Sequence, residues 1–314
     1  MGDFLHYKLP NSTPVYKTGK FLSLAALESY DGFLVTDFTK SRLFGFEESD
    51  CEASFHFSKE VINETSKEEY FEVGNQMLSL IQNRSLEKVI NSRIKKIDLE
   101  VDLSDLFNKL ASENPDAFVY LISSDLFGTW IGASPETLLE FDGDNYKIVS
   151  LAGTKKSNDF SDWGEKEVVE QEIVTSYIQN ELDSLEVDFI EKSDVVEKIA
   201  GPVKHLQTTF SFKSHKSIHE IIHKIHPTPA VSGMPKDVAV AKIIELEKHS
   251  RSLYSGVIGD LNKHVFVNLR CMQIFEGYGL LYLGGGYTKD SDVELEWQET
   301  ENKAKTLLSI IEKM

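Results

Sequence analysis

Apolar positions along this 314-residue chain fall into two kinds of pattern. Tyr70, Val73, Met77 and Ile81 recur at helix spacing and predict a helix over residues 66–83. After it, β-branched Val89 and Ile90, followed by Ile94 and Ile97, predict a strand starting at Lys88. Residues 117–123 and 138–141 also read as strands, and residues 1–60 read as short strands and turns, with apolar runs such as 32–36 set between polar breaks. A long helix is expected over 163–184, with Asp162 and Glu165 at capping-box spacing. Pro235 is placed to open another, running to about residue 249. Residues 256–262, 264–275 and 279–283 then read as consecutive antiparallel strands, and a last helix begins near Ser291, where Ser291 and Glu294 have capping-box spacing. Strands come in groups without strict alternation with helices. That predicts an α+β fold with large, mostly antiparallel sheets rather than a doubly wound one.

Neither repeats nor a Pro/Gly/Ser-rich linker interrupts the chain, so residues 1–314 are expected to form a single domain. Lys and Arg number 33 against 51 Asp and Glu, a formal charge of −18. Such a chain is a poor binder of nucleic acid or anionic membranes, because phosphate binding is driven by basic side chains. A small dianion in a local basic pocket is still permitted. Cys51 and Cys271 form no metal-binding spacing and suggest a reducing compartment, the cytoplasm. The opening MGDFLHYKLP has no apolar stretch behind a basic head, so no signal peptide is expected. His6 stands where a lipidated Gly2 would want Ser or Thr, and no run of about 18 apolar residues offers a membrane span.

The C-terminal third holds the candidate chemistry. Gly284, Gly285 and Gly286 follow an apolar strand and precede the last helix. They read either as a flexible turn or as backbone that a ligand approaches closely. Glu296, Glu299 and Lys303 share one helix face. They read either as a solvated, salt-bridged face or as a hard-cation site with a lysine one turn further on. Arg270, within the apolar stretch VFVNLRCMQIF, either makes a structural ion pair or offers its fork to a carboxylate.

Taken in order, eight segments resemble the chorismate-utilising enzymes, a family that includes isochorismate, salicylate, anthranilate and aminodeoxychorismate synthases. They are EKVINSR (87–93), GASPETLL (132–139), LAGTK (151–155), EQEIV (170–174), HPTPAVSGMP (226–235), RSLYSGVIGD (251–260), VNLR (267–270) and LGGGYTKDSDVELEWQETENK (283–303). The motif-bearing core is residues 87–303, while residues 1–80 carry no matching motif and are shorter than that region usually is. The resemblance implies two large antiparallel sheets packed together with helices outside. It implies a magnesium ion held by Glu170 and Glu299, with Glu296 holding a metal-bound water. Many members have Glu-His where this chain has Glu170-Gln171. Substrate contacts so implied are Arg270 and Tyr254 on the enolpyruvyl carboxylate, with Gly284, Gly286 and Lys303 helping to fix the carboxylates. Gly153 and Thr154 would line the ring, and His205 would lie near it.

Within the family, water-adding members use a lysine matching Lys88 as base and a glutamate matching Glu136 as acid. Lysine can serve as a base only where burial or a nearby cation lowers its pKa, and a glutamic acid must be kept protonated. Ala152 stands where aminodeoxychorismate synthases carry a nucleophilic lysine, and no glutaminase nucleophile motif is present, so no glutaminase partner is expected. The resemblance therefore points to an isochorismate synthase, an isomerase acting as a monomer in menaquinone or siderophore biosynthesis. A salicylate synthase, which goes on to eliminate pyruvate, and a catalytically inactive chorismate-binding or regulatory subunit are the alternatives.

Overall fold

The computed structural model describes residues 2–200 and 203–314. In chain order, strands β1 (Asp3–Lys8), β2 (Val15–Ser23), β3 (Phe33–Thr36) and β4 (Leu43–Glu48) precede helix α1 (Lys67–Gln82) and the long strand β5 (Lys88–Asp98). Helix α2 (Leu103–Glu113) leads to β6 (Phe118–Ser124), β7 (Gly128–Ser134), β8 (Thr137–Asp142) and β9 (Asn145–Lys156). Helix α3 (Glu165–Ser184) is followed by β10 (Phe189–Lys192), β11 (Val196–Ala200), β12 (Val203–Lys213) and α4 (Ile218–Ile225). The chain closes with β13 (Gly233–Met234), α5 (Lys236–Leu246), β14 (Val257–Asp260), β15 (His264–Val267), β16 (Cys271–Phe275), β17 (Tyr278–Tyr287) and α6 (Val293–Ile311).

Among the described residues the pairings between these strands are all antiparallel, as the grouping of strand signals predicts. They form one continuous ribbon. Strand β5 pairs β17, and β16, β7, β6, β1, β2, β4, β3, β14, β15, β8, β9 and β12 follow in turn. The ribbon folds back so that its faces pack on each other. Phe118 of β6 stacks on Phe266 of β15, ring centroids 4.4 Å apart, although these strands are not hydrogen-bonded neighbours. Leu5, Phe33, Val35, Tyr120, Trp130 and Tyr282 fill the same interior.

Helices cover the outer faces because each carries an apolar stripe. Val174, Ile178 and Leu182 of α3 pack on Ile148 and Phe210 of β9 and β12, each contributing roughly 1.5–3 kcal/mol. Ala304, Leu307 and Ile310 of α6 pack on Leu281 and Leu283 of β17 and on α2. Two ends of the ribbon, β5–β17 and β9–β12, are thereby brought to opposite walls of one cavity, with α3 and α6 over it.

Several local expectations are corrected. Helix α3 begins after Gly164, which offers no side-chain cap, so the Asp162–Glu165 capping box does not form. At α6 the cap is Asp292, which accepts from Leu295 N. Ser291 instead directs its hydroxyl to Glu296 Oε1, 3.0 Å away, so that carboxylate has taken the expected cap. Pro235 is the residue before α5 rather than its first, and that helix ends at Leu246. The stretch 264–275 is two strands, because Arg270 has a left-handed φ of +49° between them. Lastly, Gly284–Gly286 lie inside β17, opposite Ser92, Asn91 and Ile90 of β5, not in a turn after it.

Candidate active site

Lys88 and Ile90 project from β5 into the cavity between the ribbon's two ends, facing Gly284 and Gly286 of β17. The three glycines are needed for close approach on both faces of β17. A Cβ on Gly284 would stand 2.6 Å from the Tyr254 hydroxyl, and one on Gly286 would stand 3.0 Å from Glu170 Oε1. On the opposite face, a Cβ on Gly285 would meet the Tyr70 hydroxyl at 2.7 Å.

Across the cavity, β9 and β12 slip register between His205 and Leu206. Gly153 is the extra residue of this bulge, with φ +65°. Its carbonyl accepts from His205 Nδ1 at 3.0 Å, and Thr154 Oγ1 lies 3.2 Å from the same nitrogen. A carbonyl only accepts, so Nδ1 carries the proton and Nε2 is left with its lone pair. Burial, with Arg270 adding to it, pushes the imidazole down to about 4, so His205 is neutral at pH 7.

The break at Arg270 is set by Asn268, which donates to Leu253 O at 2.9 Å and accepts from Tyr120 Oη at 2.6 Å. This anchor pulls the chain out of strand geometry and turns Arg270 into the cavity. The Arg270 guanidinium makes no hydrogen bond or ion pair to the described residues, while its carbonyl accepts from Ala133 N at 3.1 Å. A half-buried guanidinium without a partner is a receptor for an anion. Tyr254 lines the cavity beside it, its phenol pushed up to about 12 by burial.

The carboxyl groups differ by partner. Lys88, fully buried, donates to Glu170 Oε1 at 2.9 Å. Lys303 lies 2.5 Å from Glu299 Oε1 and donates to Gly284 O at 2.9 Å. Burial would raise Glu299, but Lys303 outweighs it and the carboxyl sits below its ordinary range. Glu136 has no ion pair among the described residues. Enclosure pushes it up to about 7 even though Lys88, Arg270 and Lys303 all pull the other way.

Glu296 stands apart from the rest. It is buried behind the cavity wall, takes Lys166 Nζ at 2.6 Å on Oε1, and leaves Oε2 buried without a hydrogen-bond partner. Burial and neighbouring Glu299 raise its pKa. Gln171 also stays out of the cavity. It donates to Ser150 O and Thr175 Oγ1, both at 3.2 Å, and ties α3 to β9.

Twelve of the thirteen expected site residues therefore line one cavity: Lys88, Glu136, Gly153, Thr154, Glu170, His205, Tyr254, Arg270, Gly284, Gly286, Glu299 and Lys303. The sequence model of the family described as "Chorismate binding enzyme" matches residues 36–312. This chain belongs to that family. Among relatives, it is 28% identical over 256 residues to isochorismate synthase EntC of Escherichia coli K12, covering 74% of this chain and 64% of the relative. It is equally 28% identical to anthranilate synthase component 1 of Lactococcus lactis, over 79% of this chain and 58% of the relative. The matches thus span less than two thirds of these relatives' own lengths. The fold of MenF, the menaquinone-specific isochorismate synthase from Escherichia coli, superposes with a TM-score of 0.83 at 19% identity, covering 98% of this chain and 88% of that one.

In this member of the family, side chains missed in the sequence complete the wall. Arg251 donates to Val231 O at 2.7 Å and Ile90 O at 2.9 Å, and is paired with buried Glu247. It ties two cavity-lining backbones together from behind. RSLYSG contained it, but only its tyrosine was singled out. Lys166, on α3 one turn before Glu170, was hidden in a run of charges that reads as a solvated helix face. Among the described residues no helix is long and apolar enough to cross a membrane.

Proposed function

We propose that this protein converts chorismate to isochorismate in a magnesium-dependent reaction, acting as an isochorismate synthase. The observation that carries the reading is Glu136, among the described residues the one cavity carboxyl without an ammonium partner, held near 7 within electrostatic reach of Lys88. A proton donor and a lysine that could accept a proton once deprotonated face the same space, as addition of one hydroxyl and loss of another require.

Chorismate would lie with a carboxylate on Arg270 and Tyr254, and with Lys303 at its other end. Lys88 would take a proton from the water whose oxygen bonds to ring C2. Both ring double bonds shift, C1=C2 to C1=C6 and C5=C6 to C4=C5, the C4–oxygen bond breaks, and the departing hydroxyl takes the proton of Glu136, leaving as water. Water is consumed and released in equal number. Lys88 can accept that proton only as the neutral amine, so the ammonium that pairs with Glu170 must first release its own proton to solvent. Ala152 lines the cavity where a nucleophilic lysine would be needed for covalent amination, which supports water as the nucleophile.

The residues fit a hard cation. Glu170 and Glu299 line the cavity, and Glu296 keeps a buried carboxylate oxygen without a partner. Among the described residues no three acidic, His or Cys side chains stand together ready for a metal, and each of these glutamates is paired with a lysine. The charge balance supports the assignment. With Glu136 protonated and Lys88 neutral as the base, Arg270 and Lys303 balance Glu170 and Glu299, leaving no net charge against the two negative charges of chorismate. Magnesium, when bound, would supply the missing charge and polarise the oxygens of its ligand.

The test is a product assay with chorismate and magnesium, with and without chelator. Isochorismate in equilibrium with chorismate, lost on chelation, is expected. Salicylate with pyruvate would place the protein among the lyases, and no turnover even with ammonium added would leave a binding or regulatory role.

A further inference from the structure

We propose that Lys166 is a built-in counter-cation for the glutamate cluster, holding the metal's place in the metal-free protein and giving it up when a divalent cation enters. The inference rests on the magnesium site proposed above.

Lys166 belongs to the first turn of α3, and Glu170 follows it at i+4, on the same face of the helix. Its ammonium crosses to α6 and lies 2.6 Å from Glu296 Oε1, within electrostatic reach of Glu299 and Glu170 as well. It is thus one positive charge among the three carboxylates assigned to the metal. Unlike Lys88 and Lys303, it does not line the cavity. Its side chain is 30% exposed while that of Glu296 is 1% exposed, so it enters the cluster from the solvent side and has a way back out.

The position is poor for a lysine on other grounds. A cation in the first turn of a helix opposes the helix dipole, and α3 has no side-chain cap to offset this. The carboxylates are what hold it there. The helix start is otherwise fixed by packing, since a Cβ on Gly153 would lie 3.0 Å from Glu167 O. Lys166 can therefore swing out without the helix moving. A metal and an ammonium compete for Glu296, so removing the lysine tightens metal binding, whereas a purely structural salt bridge would leave binding unchanged or weakened.

The experiment is a titration of the free protein with Mn2+, followed by the electron paramagnetic resonance signal of unbound Mn2+, for wild type, Lys166→Gln and Lys166→Arg. Lys166→Gln is expected to bind Mn2+ at least about tenfold more tightly, the low end for removing a close charge partner. Lys166→Arg, which keeps the charge, is expected to bind like wild type. Thermal unfolding gives the second readout. Without metal, Lys166→Gln should melt below wild type, and saturating Mn2+ should close the gap. Mn2+ bound by wild type, with Lys166→Gln no tighter, would overturn the counter-cation role while leaving the metal site standing. Mn2+ bound by neither protein would remove the metal site and the role together.

Discussion

Replacing Glu136 by glutamine should abolish turnover and yet make the protein more stable in alkaline solution. The carboxyl is moved from its ordinary 4.5 to about 7 by enclosure in the cavity wall. At about 1.4 kcal/mol for each tenfold change in proton affinity, keeping it ionised in the folded state costs roughly 3 kcal/mol. Glu136 is not fully shut off from solvent, and screening reduces that to about 1–3 kcal/mol. The sign follows from proton counting. Between pH 4.5 and 7 the folded protein holds a proton that the unfolded chain has lost. Stability from this group is fully present below about 4.5, falls as pH rises towards 7, and is lost above it. Glutamine cannot ionise and escapes the penalty. Urea unfolding at pH 4.5 and pH 8.5 checks this. The two proteins should be close at the lower pH, and Glu136→Gln ahead at the higher one. An equal difference at both pH values would refute the reasoning, because the glutamine would then act through packing alone. The same ionisation predicts that wild-type kcat falls as pH rises through about 7, since the proton needed by the leaving hydroxyl is gone.

Lys88→Ala should stop turnover while chorismate still binds; retained activity with normal binding would remove Lys88 as the base. It should also destabilise the metal-free protein, by roughly 3–5 kcal/mol, a magnitude typical of breaking a buried pair. Arg270→Ala should weaken chorismate binding by about 2–5 kcal/mol, because the substrate carboxylate loses a partner in a half-buried setting. Calorimetry with chorismate would show it, and an unchanged dissociation constant would sink the contact.

What could be read from the sequence depended on whether the signal was local. Helix α1 was expected over 66–83 and spans Lys67–Gln82, because its stripe and the Ser66 cap are properties of consecutive residues. Breaks made by distant partners were not legible. Nothing near Arg270 announces a left-handed residue; the cause is Asn268 bonding to Leu253 and Tyr120. A run of three glycines reads as a turn until β5 is seen pairing with it along its whole length. Helices α2 and α4 were not assigned, although Leu103, Leu106, Phe107 and Leu110 do follow helix spacing and could have been found by the same test as α1. The order of motifs carried the site better than any single residue did. Eight segments spread over 87–303 are brought to one cavity, and only Glu296 among the named residues falls outside its lining.

Pairing, rather than residue type, sorts the glutamates of this site. Glu136, Glu170, Glu296 and Glu299 are chemically identical in the unfolded chain, and spacing alone puts two of them on one helix face without saying which holds a proton. In the fold, Lys88, Lys166 and Lys303 each take one glutamate, and Glu136 is left with none. A carboxylate with an ammonium beside it is kept ready for a cation; an enclosed one without a partner keeps its proton near neutral pH. The proposed division into metal ligands and acid follows these pairings for Glu136, Glu170 and Glu299, with Glu296 the exception, since burial and Glu299 raise it despite Lys166. A single lysine moved towards Glu136 would turn the proton donor into one more carboxylate, even with the rest of the cavity unchanged.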